Sequence, residues 1–389
     1  MEPRRRTHSN RAGRHDEKPA ESLEREAANP MPVNAISDLS VTQPLLRFGM
    51  IGCGALGVVH ARRLCELPNV TVTAVSDPDP AGMERVIATV PPQSGEETPH
   101  VTAYSDWTAL LRHGELDAVC ISSPNRWHVV QLLAALAKNL DVLCEKPLSM
   151  NPDEVRQVVE STRSSGKTVS IAYQSRYRRD ARVLRAALQS GRWGGITSVD
   201  IFSSEDWITP NVGTWRHDPA RCPGGFFADA NGHQLDLLFW LSGMEATDIR
   251  ATMETRETAV PMVTWGEARL HPTPNTKHQT PNTAGVPFTF TFVGDAHQWR
   301  EEISIQTESA DFLLRDTRLL WTDGHAPFAP LPESECDPAA LNLPDTPDNA
   351  FVAALRGGPP IVTPPDTVWP VLKFTLTALA VAGHSPGGL

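Results

Sequence analysis

The chain has no cysteine pattern. Its 6 cysteines (Cys53, Cys65, Cys120, Cys144, Cys222 and Cys336) contain no C-x-x-C pair and no zinc-type spacing, so no structural metal site is expected from them. Several sit inside apolar strand-like runs, as buried free thiols do, and a reducing cytoplasm is the expected setting. A basic excess is also missing. Against 46 acidic residues stand 35 Lys and Arg, for a net charge of −11, which argues against a nucleic acid or an anionic membrane as partner. No apolar run approaches the length of a membrane span. The arginines near the start are not followed by the apolar stretch that a secretory or twin-arginine signal requires. Residues 1–44 are polar and nearly free of large apolar side chains, and are expected to form a disordered tail. Met31 offers an alternative start, which mass spectrometry of the native N-terminus would decide.

What is present is a chain of 389 residues with 40% hydrophobic content, more than one ordinary core organises, so two domains are expected. From residue 45 to 172, short apolar runs alternate with helical patterns, as in βαβ units with a parallel sheet. Leu45–Ile51 opens the series, followed by Thr71–Ser76, Asp117–Ser122, Val142–Cys144 and Thr168–Ala172 as strands. Helices are expected at Pro80–Val90, Trp107–Arg112, Val129–Lys138 and Asn151–Ser164. From Tyr173 the pattern changes. After a helix at Asp180–Gln189 come strands without intervening helices: Ile196–Phe202, Ala246–Met253, Val263–Leu270, Phe288–Val293, Glu302–Gln306, Asp311–Arg315 and Leu319–Trp321. Residues 173–389 are thus expected to form an α+β domain on a mostly antiparallel sheet. The polar, proline-rich run from His271 reads as a long hairpin loop, and helices at Asn349–Arg356 and Asp366–Ala382 close the chain.

Three stretches carry chemistry. Gly52-Cys53-Gly54-Ala55-Leu56-Gly57 is G-x-G-x-x-G between a strand and a helix. In that context Gly52 permits the tight turn, Gly54 lets backbone approach a pyrophosphate, and Gly57 lets helix and strand pack closely. Asp77, at the end of the second strand, is placed to accept from the ribose hydroxyls of an adenosine. No arginine follows within Asp77–Pro80 to receive a 2′-phosphate, so NAD is expected over NADP. The second stretch is Asp141–Leu148, DVLCEKPL. Pro147 stops the strand and leaves Lys146 at its carboxyl end, where open α/β sheets bind ligands. Upstream, Ser123-Pro124-Asn125-Arg126-Trp127-His128 makes another strand-to-helix turn, with Asn125 a candidate helix cap and His128 a candidate neighbour of the nicotinamide. The third stretch, Gly224–Leu241, places Asp229, His233 and Asp236 four and three residues apart, on one face if helical. No metal is expected there, because no further ligand cluster is evident.

Taken together, GCGALG at Gly52–Gly57, SPNRWH at Ser123–His128, EKP at Glu145–Pro147, Arg176-Tyr177 and GGFFADANGHQLD at Gly224–Asp236 resemble the Gfo/Idh/MocA oxidoreductases, the group of glucose–fructose oxidoreductase and inositol dehydrogenase. The resemblance runs from about Leu46 to the C-terminus. It implies a Rossmann dinucleotide-binding domain followed by a large, open-faced, mostly antiparallel sheet, with substrate between them. It implies NAD(P)-dependent oxidation or reduction of a sugar, inositol or related polyol, and a homodimer or homotetramer. Catalytic roles fall on Lys146, Asp229 and His233, the histidine as proton acceptor. The cofactor would meet Gly52, Gly54, Ala55, Leu56, Gly57, Asp77, Ser123, Pro124, Asn125, His128, Glu145 and Lys146. The substrate would meet Arg176, Tyr177, Trp215, Asp229, His233 and Asp236, with Trp207 and Arg216 as further candidates. Where the family commonly has glycine two positions after Asp229, this chain has Asn231, which tolerates a left-handed backbone better than most residues. Two other readings fit the same scaffold: an NAD-dependent glycosidase or lyase working by transient oxidation, and a non-catalytic nucleotide or sugar sensor.

Overall fold

The alternating half closes on a six-stranded, all-parallel sheet. In this computed structural model, which describes residues 43–92, 97–274, 276 and 284–384, the first half runs β1 (Leu46–Ile51), α1 (Ala55–Cys65), β2 (Val70–Ser76), α2 (Pro80–Ile87), β3 (Thr102–Tyr104), α3 (Trp107–Leu110), β4 (Ala118–Ile121), α4 (His128–Ala137), β5 (Asp141–Cys144), α5 (Pro152–Ser165) and β6 (Val169–Ile171). The expected tail, apart from residues 43 and 44, lies outside the described residues, as do parts of the loops after Pro92 and Pro274. Strand order is β3-β2-β1-β4-β5-β6, with the reversal between β1 and β4 that creates a ligand crevice at the strands' carboxyl ends. The continuous apolar runs follow from burial on both faces: all four residues of β4 are buried. Helix starts match their chemistry. Asn151 accepts from the Asp153 N–H at 2.9 Å ahead of α5, and Asp79 caps α2.

The second half begins with α6 (Arg179–Gln189) and β7 (Ile196–Asp206). It continues through α7 (Gly225–Asp229), α8 (Gly232–Ser242), β8 (Met244–Glu254), β9 (Val263–Pro272), β10 (Val286–Val293), β11 (Asp295–Thr307), β12 (Asp311–Arg315), β13 (Arg318–Thr322) and β14 (Ala329–Pro330). These eight strands form one sheet, ordered β14-β13-β12-β11-β7-β10-β9-β8, antiparallel except for the β7–β10 pair. Alternation sets its inner face. In β10, Phe288, Phe290 and Phe292 point inward while Thr289 and Thr291 point out, as a strand's two-residue period requires. The phenylalanines pack with Phe374 from the last helix, at ring-centroid distances of 5.3 Å for Phe290 and 5.8 Å for Phe288.

The C-terminal segment departs from the expected boundary. After α9 (Pro338–Leu341), helix α10 (Pro347–Leu355) and the start of α11 (Trp369–Val381) return to the first sheet. Phe351 meets Phe48 edge-on at 6.2 Å. Thr363 accepts the Ile171 N–H at 2.9 Å, and Val368 and Leu372 join the core beside β5 and β6. Residues 348–372 therefore also pack against the first sheet. Phe351 and Val352 of α10 pack beside α1, in the cluster that holds Phe48, Ala61 and Leu64.

Candidate active site

Strands β1, β2, β4 and β5 end on one edge of the parallel sheet, and each hands over to a turn bearing expected site residues. From β2 to β5 is three strand spacings, about 14 Å. At the β1 turn, Gly52 takes φ +92°, and a Cβ there would lie 2.4 Å from the Ser123 nitrogen. A Cβ on Gly57 would lie 2.4 Å from the Gly52 oxygen, so these two glycines make the turn and the close helix–strand approach. Gly54 differs. A Cβ on it would meet nothing within 4 Å, which leaves open space over the N-terminus of α1. There no side chain caps the helix and the first turn carries no acid. Bare N–H donors and the positive end of a helix suit a pyrophosphate, with Ala55 and Leu56 half-buried in that first turn. Asp77 is held by the N–H groups of Cys53 at 2.7 Å and Asp79 at 2.8 Å. These residues fit a dinucleotide.

Other expected cofactor contacts are placed differently. Ser123 donates to the Gln131 side chain at 2.6 Å, and Pro124 is exposed. Asn125 opens a short 3-10 turn and does not cap α4, whose cap position falls on Trp127. His128 is 1% exposed. Its ring nitrogens lie 2.9 Å from the Pro147 carbonyl oxygen and 2.8 Å from that of Ser123, so it pins two loops together. Glu145 is buried, with one oxygen 3.0 Å from the Nε2 of His60 and the other accepting the Lys146 N–H at 3.1 Å.

Lys146 reaches the second half. Its Nζ donates to the Asp229 carbonyl at 2.8 Å and lies 3.6 Å from that residue's Oδ1. The other carboxylate oxygen accepts from Arg216 Nε at 3.0 Å, and the Arg216 guanidinium lies 4.6 Å from the ring centre of half-buried Trp215. The helix expected to carry Asp229, His233 and Asp236 is broken: α7 ends at Asp229 and α8 starts at Gly232. Asn231 joins them at φ −80°, ψ −2°, right-handed backbone, so no glycine is needed. Its side chain accepts from Ser203 and donates to the Phe226 carbonyl, which fixes the turn.

His233 stands one turn beyond, its ring edge-on to Tyr173 at 6.1 Å. Its Nδ1 is buried without a hydrogen-bond partner among the described residues. Burial, then the Lys146 ammonium, push its pKa down to about 3, against the opposing pull of Glu145 and Asp229. The imidazole is therefore neutral at neutral pH. An uncharged base, an ammonium and a carboxylate meet where the two halves touch. That set can take a proton from a hydroxyl and stabilise the oxygen as it becomes negative.

Three expected substrate contacts lie in the interior instead. Arg176, 3% exposed, grips fully buried Asp236 through Nε at 2.7 Å and Nη2 at 2.5 Å. Tyr177, also 3% exposed, bonds its hydroxyl to Thr363 at 2.7 Å. Asp236 is three residues past His233, a rotation about 60° off the same line, enough to turn it from the cleft into the core. Trp207 is 1% exposed and packs on Phe226. Arg176→Leu is expected to destabilise the fold by about 3–5 kcal/mol, because it strands a buried carboxylate. Arg176→Leu with Asp236→Leu should recover much of that loss in urea denaturation. A single variant with unchanged stability and a raised substrate KM would restore the substrate role.

Sequence reasoning missed the residues beneath Lys146. His60 places Nδ1 2.7 Å from Asp348 Oδ1 while its Nε2 faces Glu145. The one signal was a histidine on the otherwise apolar inward face of a helix. Nothing local connects it to an acid 288 positions away.

Among the described residues, no group of three or more His, Cys, Asp or Glu is placed to hold a metal ion, and no helix is long and apolar enough to cross a membrane. The family model GFO_IDH_MocA, described as an oxidoreductase family with an NAD-binding Rossmann fold, matches residues 46–173, and the GFO/IDH/MocA C-terminal domain matches residues 181–293. The rhizopine catabolism protein MocA of Rhizobium meliloti is 29% identical over 54% of this chain and 61% of its own length. An inositol 2-dehydrogenase of Pseudomonas fluorescens is 32% identical over 50% of this chain and 54% of its own. The chain thus spans little more than half the length of these curated relatives. Among solved structures, the WlbA dehydrogenase of Bordetella pertussis, in complex with NADH and UDP-GlcNAcA, superposes with a TM-score of 0.71 at 19% identity, covering 88% of this chain and 97% of that one.

Proposed function

This chain belongs to the GFO/IDH/MocA family of oxidoreductases with an NAD-binding Rossmann fold, and from that premise we propose that it is a dehydrogenase acting between NAD and a secondary alcohol or ketone of a sugar, inositol or related polyol. The observation that carries the reading is the meeting of Lys146 with the Asp229 carbonyl at 2.8 Å, with the neutral His233, whose Nδ1 has no partner among the described residues, on the next turn. When bound, NAD accepts the hydride from the carbinol carbon. The chain's residues handle the rest. The turn Gly52–Gly57 and the start of α1 hold the pyrophosphate, and Asp77 holds the adenosine ribose. The Lys146 ammonium faces the substrate oxygen and stabilises its growing charge. His233 takes the hydroxyl proton, and Asp229, held by Arg216, orients the substrate or the imidazole. Half-buried Trp215, under the Arg216 guanidinium, lines the substrate side of the same cleft.

Asp77 would repel a 2′-phosphate, and the nearest cation on α2, Arg85, lies 3.7 Å from Asp79. NAD is therefore expected to show a KM at least about tenfold below that of NADP, the equivalent of roughly 1.4 kcal/mol. Equal or tighter use of NADP in steady-state assays would overturn this preference. The exposed face of the second sheet is proposed to pair copies into a homodimer or homotetramer. A sedimentation mass equal to the 42.5 kDa chain would refute that.

The test of function is a thermal-shift screen of sugars, inositols and sugar acids with NAD present, then NADH absorbance and product analysis on the hits. NADH formed in step with ketone supports the dehydrogenase. A cleaved product without net NADH would replace it with the lyase, and binding without turnover with the sensor.

A further inference from the structure

Beneath the Lys146 turn, three buried ionisable side chains from distant parts of the chain form an unbroken line. Asp348, at the start of α10, is 0% exposed, His60 on α1 is 2% exposed, and Glu145 is 8% exposed. We propose that Asp348, His60 and Glu145 act as a positioning relay, which clamps the backbone of the Glu145-Lys146 turn and thereby holds the Lys146 ammonium at the cleft. The proposal rests on the reading of Lys146 as the cation of the reaction.

The geometry sets the protonation state. Both ring nitrogens of His60 face carboxylate oxygens, at 2.7 Å for Asp348 and 3.0 Å for Glu145. A neutral imidazole has one N–H and satisfies one of them; only the imidazolium donates to both. The second oxygen of Glu145 accepts the Lys146 N–H at 3.1 Å, so the line passes from α10 through α1 to the catalytic turn. The second oxygen of Asp348 has Arg63 Nη1 at 3.6 Å. Two carboxylates, one imidazolium and one guanidinium leave the cluster without net charge. An apolar cluster of the same volume would serve stability as well or better. What ion pairs add here is a fixed orientation for Glu145, and so for the peptide it holds.

The other titratable groups around the relay are Cys53, Cys120 and Cys144, His128 and Tyr173 beside Glu145, and Lys146 and His233 toward the cleft. Burial pushes all three thiols up, Cys53 to about 12, so they stay neutral while His60 titrates. Burial pushes His60 down, but the Asp348 and Glu145 carboxylates outweigh it and hold it up at about 10, against an ordinary 6.5. Burial pushes Glu145 up, and His60, then Lys146 and His233, outweigh it and hold it at about 2, against 4.5. The raised histidine stabilises the fold fully below about 6.5, and that contribution fades as pH rises through about 10. The depressed carboxyl contributes above about 4.5 and is lost as pH falls through about 2.

The experiment compares wild type with Asp348→Asn and His60→Gln in three readouts: kcat against KM for NAD, the alkaline limb of the pH–kcat profile, and the rate at which an amine-acetylating reagent labels Lys146, followed by mass spectrometry. Both variants are expected to lose kcat by about 10- to 100-fold, as a misplaced catalytic group does, with KM for NAD within about twofold. Asp348→Asn should also move the alkaline limb to lower pH, because His60 loses one of its two stabilising charges. In both variants Lys146 should be labelled several-fold faster at fixed pH. A lower melting temperature with unchanged labelling and an unmoved alkaline limb would make the cluster merely structural and overturn the proposal. If the variants fail to fold, the wild-type protein decides by NMR: a His60 imidazole that is neutral at pH 8 overturns the relay, and one still protonated there supports it. Labelling and NMR need no substrate, so they remain informative if Lys146 proves dispensable for turnover.

Discussion

Lys146→Met is expected to lower turnover by about 10²–10³-fold, the loss typical when one donor to a developing oxyanion is removed, while NAD still binds. Methionine keeps the length and apolar stem of the lysine, so the change isolates the charge. At 10% side-chain exposure the ammonium sits where water screens it little, and its attraction for an alkoxide is correspondingly strong. A second effect follows from its neighbour. The Lys146 ammonium is the largest cause after burial of the depressed His233 pKa of about 3. Wild-type kcat/KM should therefore show no histidine inflection between about pH 5 and 8. Removing the ammonium raises the imidazole pKa toward its ordinary 6.5, so an acid-side fall in rate should move up toward neutrality in the variant. Lys146→Arg is not expected to rescue, because a planar guanidinium does not replace a point donor aimed at both Asp229 and the substrate. Steady-state kinetics over pH 4–10, with NAD affinity from calorimetry, checks each part. Turnover within about threefold of wild type would end the assignment of Lys146 as the catalytic cation.

His233→Ala is expected to cost about 10²–10⁴-fold in turnover, the usual contribution of a general base. The Nδ1, without a partner among the described residues, marks the ring as placed for something other than its neighbours, since buried polar atoms are ordinarily satisfied. Without the imidazole, hydroxide and water must take the proton, so the variant's rate should climb with pH where the wild type is flat. Added imidazole should restore part of the activity, because the alanine leaves a ring-sized space against Tyr173. A wild-type rate with an unchanged pH profile would move the proton acceptor elsewhere, with Asp229 the next group to test.

Much of this was legible in the residues. The G-x-G-x-x-G turn, the βαβ rhythm and the alternation in VPFTFTFV are local, and local patterns survive the step from chain to fold because one element realises each. The meeting of Lys146 with Asp229 was legible only through the resemblance, since 83 positions separate them. What failed to show was which polar residues face inward. Arg176, Tyr177 and Asp236 were expected as substrate contacts through the resemblance, and His128 as a neighbour of the nicotinamide from its place at a strand-to-helix turn. Each instead satisfies another buried group, and burial depends on what packs above, which a linear pattern does not contain. Asn231 was weighed as a tolerated left-handed residue, but the backbone there is right-handed and its amide ties the turn to Ser203 and the Phe226 carbonyl.

The return of α10 to the first sheet governs how this chain can be recombined. A chimera joined at residue 173, taking its nucleotide half from one relative and the remainder from another, would mate His60 with a foreign helix and an acid of unknown reach. Moving residues 347–372 together with the first half keeps His60 with its own partner, Asp348. Shuffled enzymes built on that three-piece plan should retain catalytic competence where simple two-piece exchanges lose it.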